Sequence, residues 1–382
     1  MKKILILAYS DLRHDGRVAR QVDFLSEGNQ LTIACFNSPQ EWAHEVFHIK
    51  RIRPTILEKA ITSIFLLTGL FESAYRVLYD FPKFRSQIKE RTFDLIVAND
   101  IESLPLAFKI KGKEKILFDA HEYAPRHFED KLVWRIFFQR FNKYLCEKYL
   151  SKVDEMITVG EGLAKEYSKH YPVNPIVLTN ANYYYNYVPT QVNQNKIKLI
   201  HHGAANPSRQ LEIMIEMMNH LDERFSLDLM LLTPSTANKK TRSYLDSLKS
   251  LIEKNPKIRM VAPVKSNEVI DFIRQYDIGI FLLPPINFNY ANTLPNKFFD
   301  FVQARLCLAI GPTPEMAALV NTYDLGVVAD DFTAISLSKK INALTGLDIF
   351  RFKAQSDKVA MTLSAERNKV ILKNIVTKLL NE

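Results

Sequence analysis

Short apolar runs alternate with stretches of helical pattern from one end of the chain to the other. The runs in the first half are rich in Ile, Leu and Val and show no clean alternation of apolar and polar positions, which is typical of strands covered on both faces. Helical patterns lie between them, for example at residues 17–26 and 161–170. The pattern predicts strands at residues 4–8, 31–36, 95–98, 115–119, 156–159 and 176–178.

The same alternation begins again after a polar stretch, residues 180–195, which is typical of a linker. A last helix is predicted at residues 364–380, where apolar positions recur at helical spacing, and it is expected to pack back onto the first half. The strands of the second half are predicted at residues 198–202, 227–232, 258–261, 278–283, 306–310 and 326–328.

Two such repeats predict an α/β protein with two doubly wound, Rossmann-like domains that face each other across a cleft. The length of 382 residues agrees with two domains of ordinary size. We place them at residues 1–185 and 196–361, followed by a C-terminal helix at 362–382. In such sheets ligands bind beyond the carboxyl ends of the strands, so binding and catalytic residues are expected on the loops that follow the strands.

Composition narrows the class of protein. Hydrophobic residues make up 47% and charged residues 24% of the chain, as in ordinary globular enzymes. The three cysteines, Cys35, Cys146 and Cys307, are far apart and indicate buried thiols in a reducing compartment. The apolar runs at residues 4–9 and 61–71 are too short for a signal peptide core and for a membrane span, respectively, so a cytoplasmic protein is expected.

The net charge of +9 points to an anionic partner. Residues 50–91 carry nine Lys and Arg against four Asp and Glu, and residues 109–152 carry eleven against six. Both stretches interleave aromatic residues, which fits peripheral contact with an anionic membrane, although amphipathic helices packed on a sheet would show the same pattern. Nucleic acid is not expected as a partner, because the positive charge forms no dense stripe and no known motif.

The segment NTLPNKFFDF, residues 292–301, is the most informative in the chain. Pro295 suits the first turn of a helix, and Asn296, Lys297 and Asp300 follow it. A helix N-terminus with a lysine can bind phosphate, and an ionised aspartate can accept hydrogen bonds from two ribose hydroxyls. A surface helix with an ordinary proline start would look the same.

Two further loops of the second half join a glycine turn to a helix. HHGAANPSRQLE, residues 201–212, offers Ser208 as a helix cap and Arg209 in the first turn, where its fork could hold a diphosphate together with Lys297. GPTPEMAALV, residues 311–320, carries Glu315 near a helix start. Backbone N–H groups there could meet a phosphate or a sugar, or Glu315 could simply complement the helix dipole.

The first half offers two loops of its own. SDLRHDGR, residues 10–17, contains a single glycine and not the dinucleotide fingerprint, so NAD binding is disfavoured. Gly16 could let a substrate approach the backbone, with Asp15 and Arg17 at the mouth of the loop. FDAHEYAP, residues 118–125, places His121 just past a strand, where it could bind a sugar hydroxyl or assist proton transfer, although a lone loop histidine is more often structural.

Several signals are absent from the sequence. It contains no Asp-x-Asp pair and no P-loop, and its cysteines form no CxxC pair, so neither a metal ion nor a bound cofactor is expected.

Taken together, these segments resemble the retaining GT-B glycosyltransferases of the family four type over essentially the whole chain. The second half carries the more specific part, which is HHGAANPSRQLE, then residues 294–320, then LGVVADDF at residues 325–332. The family's donor-binding pair of glutamates, separated by seven residues, is replaced here by Asn292 and Asp300. Of its Arg and Lys clamp on the diphosphate, Arg209 matches the second cation and Gly203 stands where the first would be, so Lys297 is the candidate replacement.

The resemblance implies an enzyme that transfers a sugar from a nucleotide sugar to a glycan or lipid-linked acceptor, in bacterial surface polysaccharide synthesis. It implies that the C-terminal domain binds the donor, that His121 lies near the transferring centre, and that Gly16 belongs to a loop contacting phosphate or acceptor. Two alternatives remain open at this stage. One is a nucleotide-sugar epimerase of the same architecture, and the other is a non-catalytic subunit that binds a sugar nucleotide.

Overall fold

The computed structural model describes residues 1–50, 52, 54–232 and 239–381, which form two compact units. Unit 1 comprises Met1–Thr179, Asn287–Asn289 and Asn368–Glu382, and unit 2 comprises Asn180–Ile286 and Tyr290–Arg367. The chain therefore contributes to unit 1 three times, the last time with its C-terminal helix.

The expected boundaries at residues 185 and 196 fall inside unit 2, because the polar stretch 180–195 is bonded to that unit. Arg305 donates from Nη2 to the carbonyl oxygen of Tyr185 at 2.7 Å. Lys353, whose side chain is fully buried, donates from Nζ to Oγ1 of Thr190 at 2.8 Å. The stretch is thus part of the second unit and not a free linker.

Unit 1 is built on a seven-stranded sheet in which every pairing is parallel. The strand order is β3-β2-β1-β4-β5-β6-β7. Residues 4–8 and 95–99 of the two central strands are buried on both faces, as their unbroken apolar sequences predict. The strands are β1 (Lys2–Ala8), β2 (Asn29–Cys35), β3 (Glu45–His48), β4 (Leu95–Asn99), β5 (Lys115–Ala120), β6 (Glu155–Thr158) and β7 (Ile176–Val177).

Helices connect these strands, and local sequence sets where they begin. The side chain of Asp15 accepts a hydrogen bond from the backbone N–H of Val18 at the start of the first helix. Thr55 and Glu58 form a reciprocal capping box at the start of the second. The helices are α1 (Gly16–Ser26), α2 (Ile56–Thr68), α3 (Phe71–Tyr79), α4 (Pro82–Ile88), α5 (Leu104–Ile110), α6 (Leu132–Phe137), α7 (Gln139–Tyr149) and α8 (Glu161–His170).

Unit 2 repeats the plan with a six-stranded parallel sheet of order β10-β9-β8-β11-β12-β13. Its strands are β8 (Ile197–Ala204), β9 (Phe225–Leu232), β10 (Ile258–Met260), β11 (Ile278–Phe281), β12 (Cys307–Ile310) and β13 (Gly326–Val328). The remaining helices of the chain are α9 (Glu212–Met217), α10 (Lys239–Ile252), α11 (Val269–Ile273), α12 (Phe288–Ala291), α13 (Asn296–Gln303), α14 (Pro314–Tyr323), α15 (Ala334–Asn342), α16 (Gly346–Val359) and α17 (Ala365–Asn381).

Both sheets confirm the predicted fold class of two doubly wound, Rossmann-like domains. In each sheet the order of strands reverses once, between β1 and β4 in unit 1 and between β8 and β11 in unit 2. Loops leaving neighbouring strands in opposite directions open a crevice at that point, which is where open α/β sheets bind their ligands. Each predicted site residue lies near the end of a strand, in the loop that follows a strand, or in the helix after that loop.

Three local predictions were wrong. The edge strand β3 was not predicted, because EVFH is short and no residue of it is fully buried. Pro295 lies at the N-cap of α13, with φ of −80° and ψ of 158°, and not in the helical first turn. Ser208 caps no helix: the side chain of Asn206 accepts from the N–H of Ser208 in a short 3-10 turn, Pro207–Arg209, and α9 begins only at Glu212.

Candidate functional site

Two cationic side chains converge at the carboxyl end of β8 in unit 2. Gly203, the next-to-last residue of β8, has a φ of +135°, which favours glycine. A side chain built on Gly203 would place its Cβ 3.0 Å from Nζ of Lys297 and 3.3 Å from Nη1 of Arg209. The missing side chain therefore leaves room for both cations beside the backbone. The structure brings together three of the predicted site residues at the strand-order reversal.

The surroundings of Lys297 are unusual for a lysine. The residue is only 6% exposed, and its Nζ lies 4.2 Å from the ring centroid of Phe281, in cation–π geometry. Burial lowers the pKa of Lys297 well below its ordinary value, and the nearby Arg209 lowers it further, while Asp300 opposes the shift in part. Two like charges are thus held close together in a poorly hydrated place, which is stable only where an anion or a lost proton compensates them.

His201 orients the ammonium of Lys297. Its Nδ1 lies 3.0 Å from the carbonyl oxygen of Ile280, which can only accept, so Nδ1 carries the proton. The other nitrogen, Nε2, is then an acceptor, and it lies 3.2 Å from Nζ of Lys297. Burial, followed by the charge of Lys297, lowers the pKa of His201 well below its ordinary value, in agreement with a neutral ring.

Asp300 lies one helical turn after Lys297 on α13 and is 7% exposed. Its Oδ1 accepts from Nδ2 of Asn182 at 3.1 Å, and its Oδ2 lies 3.6 Å from Nε2 of His202. Burial, followed by the charges of Lys297 and Arg209, lowers the pKa of His202 to about 3, so His202 is neutral at pH 7 and the pair is not an ion pair. Within the described residues, Nε2 of His202 has no hydrogen-bond partner.

The other residues that the sequence predicts to bind the donor also lie in unit 2, before and after Lys297 in the chain. Asn296 is the exposed first residue of α13, and Asn292 is half-buried in the preceding loop. Glu315 is half-buried in the first turn of α14, which follows β12.

Unit 1 carries a separate ionic cluster at the carboxyl ends of β4 and β5. Arg17 donates from Nε and Nη2 to the carboxylate of Asp119, at 2.9 and 2.7 Å, and from Nη1 to the carbonyl oxygen of Leu178 at 2.7 Å. Burial alone would raise the pKa of Asp119, but Arg17 and His121 outweigh it and lower the pKa to about 2. Arg17 is thus bonded inside the unit and does not stand open at the mouth of its loop.

His121 lies between two carboxylates of this cluster. Its Nδ1 is 3.4 Å from Asp100 and its Nε2 is 3.7 Å from Asp119 and 3.3 Å from Oδ1 of Asn99. Burial alone would lower the pKa of His121, but Asp100 and Asp119 outweigh it and raise the pKa to about 9. The ring is therefore an imidazolium at neutral pH, which can donate hydrogen bonds but cannot take up a proton.

The first loop of unit 1 is organised by its own polar groups. Asp15 accepts from Oγ of Ser10 at 2.7 Å and from the N–H of Val18 at 3.1 Å, so its carboxylate caps α1. Gly16 is the first residue of α1, and a side chain on it would meet the guanidinium of Arg20 at 3.1 Å.

Sequence reasoning missed the partners that set the electrostatics of both clusters. In unit 2 these are His201, His202 and Phe281, and in unit 1 they are Asp100 and Asp119. A usable signal was present, since each of these histidines and aspartates is a polar residue in the second half of a buried apolar strand or just past its end. Among the described residues, no group of three or more His, Cys, Asp and Glu side chains could hold a metal ion.

The conformation of Gly203 leads to a first prediction. We expect Gly203→Ala to lower the free energy of unfolding by about 1–3 kcal/mol, because alanine is strained at this φ and its methyl group would displace Lys297 and Arg209. Urea unfolding followed by circular dichroism measures the change. Gly28→Ala, at a φ of +86° with nothing within 4 Å of the added methyl group, is the matched control and should lose only the part due to backbone strain, about 1 kcal/mol. Equal losses in the two variants would contradict this account of Gly203.

The charge on His121 leads to a second prediction. A pKa of about 9 in the folded state, against an ordinary value of 6.5, stabilises the fold fully below pH 6.5, and the contribution is lost as pH rises through 9. We expect His121→Gln to be less stable than wild type by up to about 3 kcal/mol at pH 6, and this difference to shrink to near zero at pH 10. Thermal unfolding across this range measures it, with His220→Gln, an exposed histidine, as control. A difference that does not depend on pH would refute the ion cluster.

The chain is similar to known glycosyltransferases in part of its sequence and in its fold. Residues 23–181 match the model of a family described as Glycosyltransferase Family 4, whereas no curated protein matches the chain. A solved structure of sucrose-phosphate synthase from Thermosynechococcus elongatus matches with a TM-score of 0.74 at 10% identity, covering 100% of both chains.

Two further solved structures match over nearly the same extent. HepE from Anabaena, in complex with UDP and glucose, has a TM-score of 0.67 at 11% identity, covering 99% of this chain and 100% of that one. An α,α-trehalose-phosphate synthase (UDP-forming) from Burkholderia vietnamiensis has a TM-score of 0.67 at 10% identity, covering 100% of both. Identities this low establish the fold alone. The chain has the GT-B fold, and the family match over residues 23–181 supports an enzyme of the glycosyltransferase type.

Proposed function

We propose that the protein transfers a sugar from a nucleoside diphosphate sugar to a glycan or lipid-linked acceptor, with retention at the anomeric carbon, in the assembly of bacterial surface polysaccharide. The observation that carries the proposal is the convergence of Lys297 and Arg209 beside Gly203. A diphosphate is the ligand that this arrangement fits, since it supplies the negative charge that two crowded cations lack.

The same two cations account for catalysis. As the anomeric bond breaks, negative charge grows on the departing diphosphate, and Lys297 and Arg209 stabilise it more in the transition state than in the ground state. The ammonium is already fixed by His201 and Phe281, so little reorganisation is needed at the moment of reaction. We propose that these side chains, without a metal ion or other cofactor, bind the diphosphate.

Asp300 is proposed to bind the ribose. It follows Lys297 by three residues on α13, so that its carboxylate and the ammonium lie on one face of the helix. An ionised carboxylate accepts hydrogen bonds from two hydroxyls at once. Asn292, Asn296 and Glu315 are proposed to contact the donor sugar or its phosphates.

His121 is proposed to act as a hydrogen-bond donor to the transferring sugar. Its raised pKa keeps both ring nitrogens protonated, which removes the role of general base that the sequence left open. The proposed retention of configuration needs no protein nucleophile, because the leaving phosphate itself can assist attack of the acceptor on the same face. Gly16, with Asp15 and Arg17 fixed around it, is proposed to contact phosphate or acceptor.

UDP is the first nucleotide to test, since it is present in the HepE structure and is named for the trehalose-phosphate synthase. A lipid-linked acceptor would place the protein at the inner face of the plasma membrane. The epimerase alternative predicts conversion of a sugar nucleotide with no acceptor present, which product analysis separates from transfer. The alternative of a non-catalytic subunit predicts binding of the donor with neither transfer nor slow hydrolysis.

A third prediction tests the two cations. We expect Lys297→Met and Arg209→Ala each to lower turnover of the sugar nucleotide by about 100- to 1,000-fold, because each removes one charge from the leaving group. Release of nucleoside diphosphate measures turnover, and circular dichroism confirms the fold. Lys249→Met, at a half-exposed lysine on α10, is the matched control and should retain wild-type turnover. Wild-type turnover in either site variant would reject the proposed mechanism.

A fourth prediction follows from the pKa of Lys297, which is lowered in the free protein. A bound diphosphate would raise this pKa again, so UDP binding should take up a proton at a pH above the lowered value. Calorimetric titrations in buffers of different ionisation enthalpy count the protons. We expect uptake of up to one proton in the wild type and less in Lys297→Met. Equal proton counts in both proteins would show that Lys297 does not titrate with the ligand.

A further inference from the structure

The outward side of α2 in unit 1 is apolar, which is unusual for a surface helix. Only Thr62 and Leu66 of this helix are buried. Leu57 is 70% exposed, Ile64 is 58% exposed and Leu67 is 51% exposed. Soluble helices ordinarily place charged or polar residues on that side.

The neighbouring helix α6 extends this surface. It packs against α2, and three of its six residues are apolar and well exposed, namely Leu132 at 62%, Val133 at 66% and Ile136 at 46%. We call these six side chains on α2 and α6 the apolar face. Single exposed apolar residues need no explanation, but six on two helices that pack against each other mark a surface that is covered in use.

Cations border the apolar face. Residues 131–143 contain Lys131, Arg135, Arg140 and Lys143, all exposed, and no Asp or Glu. The nearest carboxylates in the sequence are Asp130, whose Oδ1 accepts from Nδ2 of Asn287 at 2.9 Å, and Glu147, whose Oε1 lies 3.7 Å from Nζ of Lys143, so the four cations outnumber them. The border therefore presents net positive charge.

Aromatic side chains lie at the same border. Phe128 is 39% exposed, with Nζ of Lys131 at 4.1 Å from its ring centroid and the ring of Trp134 at 6.4 Å. Apolar side chains flanked by Trp, Lys and Arg are the composition of helices that lie in the interface of a bilayer. With 13 residues, α2 is about 20 Å long, and no helix among the described residues is long and apolar enough to cross a membrane.

We propose that the apolar face docks on an anionic lipid bilayer, with the six apolar side chains among the acyl chains and the four cations at the headgroups. A second copy of the protein is a poorer occupant. In a two-fold dimer the cationic border of one protomer would face the same cationic border of its partner, and the two would repel each other. The sequence predicted membrane contact through two long basic stretches, residues 50–91 and 109–152, and the proposal limits this contact to α2 and α6. Arg51 and Arg53 of the first stretch lie outside the described residues. It does not depend on the proposed function, although it would hold the enzyme beside a lipid-linked acceptor.

Co-sedimentation of the full chain with vesicles tests the proposal. We expect binding to vesicles of phosphatidylcholine with phosphatidylglycerol to be at least tenfold tighter than to phosphatidylcholine alone, and to weaken with added salt. Ile64→Glu with Val133→Glu should weaken binding to both vesicles by at least tenfold. Arg135→Glu with Lys143→Glu should remove only the preference for the anionic lipid. Ile335→Glu with Leu347→Glu, at residues 62% and 83% exposed on unit 2, is the matched control and should bind as the wild type does.

Other outcomes would overturn the proposal. These are no binding of the wild type, equal binding by the Ile64→Glu with Val133→Glu variant, or a concentration-dependent dimer in light scattering that this variant abolishes. Binding of UDP by every variant, measured separately, shows that the fold and the donor site are intact. A protein that binds UDP but no vesicles would refute the docking surface alone, whereas one that binds vesicles but no UDP would refute the proposed function alone.

Discussion

The enclosure of two positive charges at the end of β8 is the constraint on which the rest of unit 2 depends. A buried ammonium is costly to desolvate, and a guanidinium beside it adds repulsion. The structure offsets this with a neutral histidine, an aromatic face and, one helical turn away, a carboxylate. Gly203 contributes by what it lacks, since any side chain there would occupy the space of the cations. Each of these features lowers the cost of holding the two cationic side chains next to each other.

Much of the fold can be predicted from the sequence, because a buried parallel strand appears in it as a continuous run of apolar residues. Twelve of the thirteen strands in the described part of the chain coincide with apolar runs, since strands covered on both faces tolerate few polar residues. The exception, β3, is a four-residue edge strand that begins with Glu45 and ends with His48, both exposed, so only two apolar residues mark it in the sequence. Helix starts were less predictable, because a cap depends on which of several adjacent polar residues turns toward the backbone. At β8 that residue is Asn206 and not Ser208.

The charged side chains of the candidate site could be predicted from the sequence, but the groups that contact them could not. Lys297 and Arg209 stood out as cations beside helix or turn starts, and the structure brings them to one point. The sequence could not show that Arg17 is bonded inside unit 1. Its partner Asp119 is 102 residues away, and only the folding of the sheet brings the two side chains together. For the same reason the charge of His121 was unpredictable, since it depends on two carboxylates that the strand ends place on either side of it.

The course of the chain through the two units has a consequence for biosynthesis. The last helix, α17, buries Leu372, Ile375, Val376 and Leu379, and Nδ2 of Asn368 donates to the carbonyl oxygen of Thr179. Residues 368–381 thus complete a unit whose first strand, β1, is synthesised long before them. On the ribosome, unit 2 has all of its residues before unit 1 does, although unit 1 begins first. Unit 1 must wait for α17, with its surface for that helix uncovered, so a chain that stops before residue 368 leaves that apolar surface exposed.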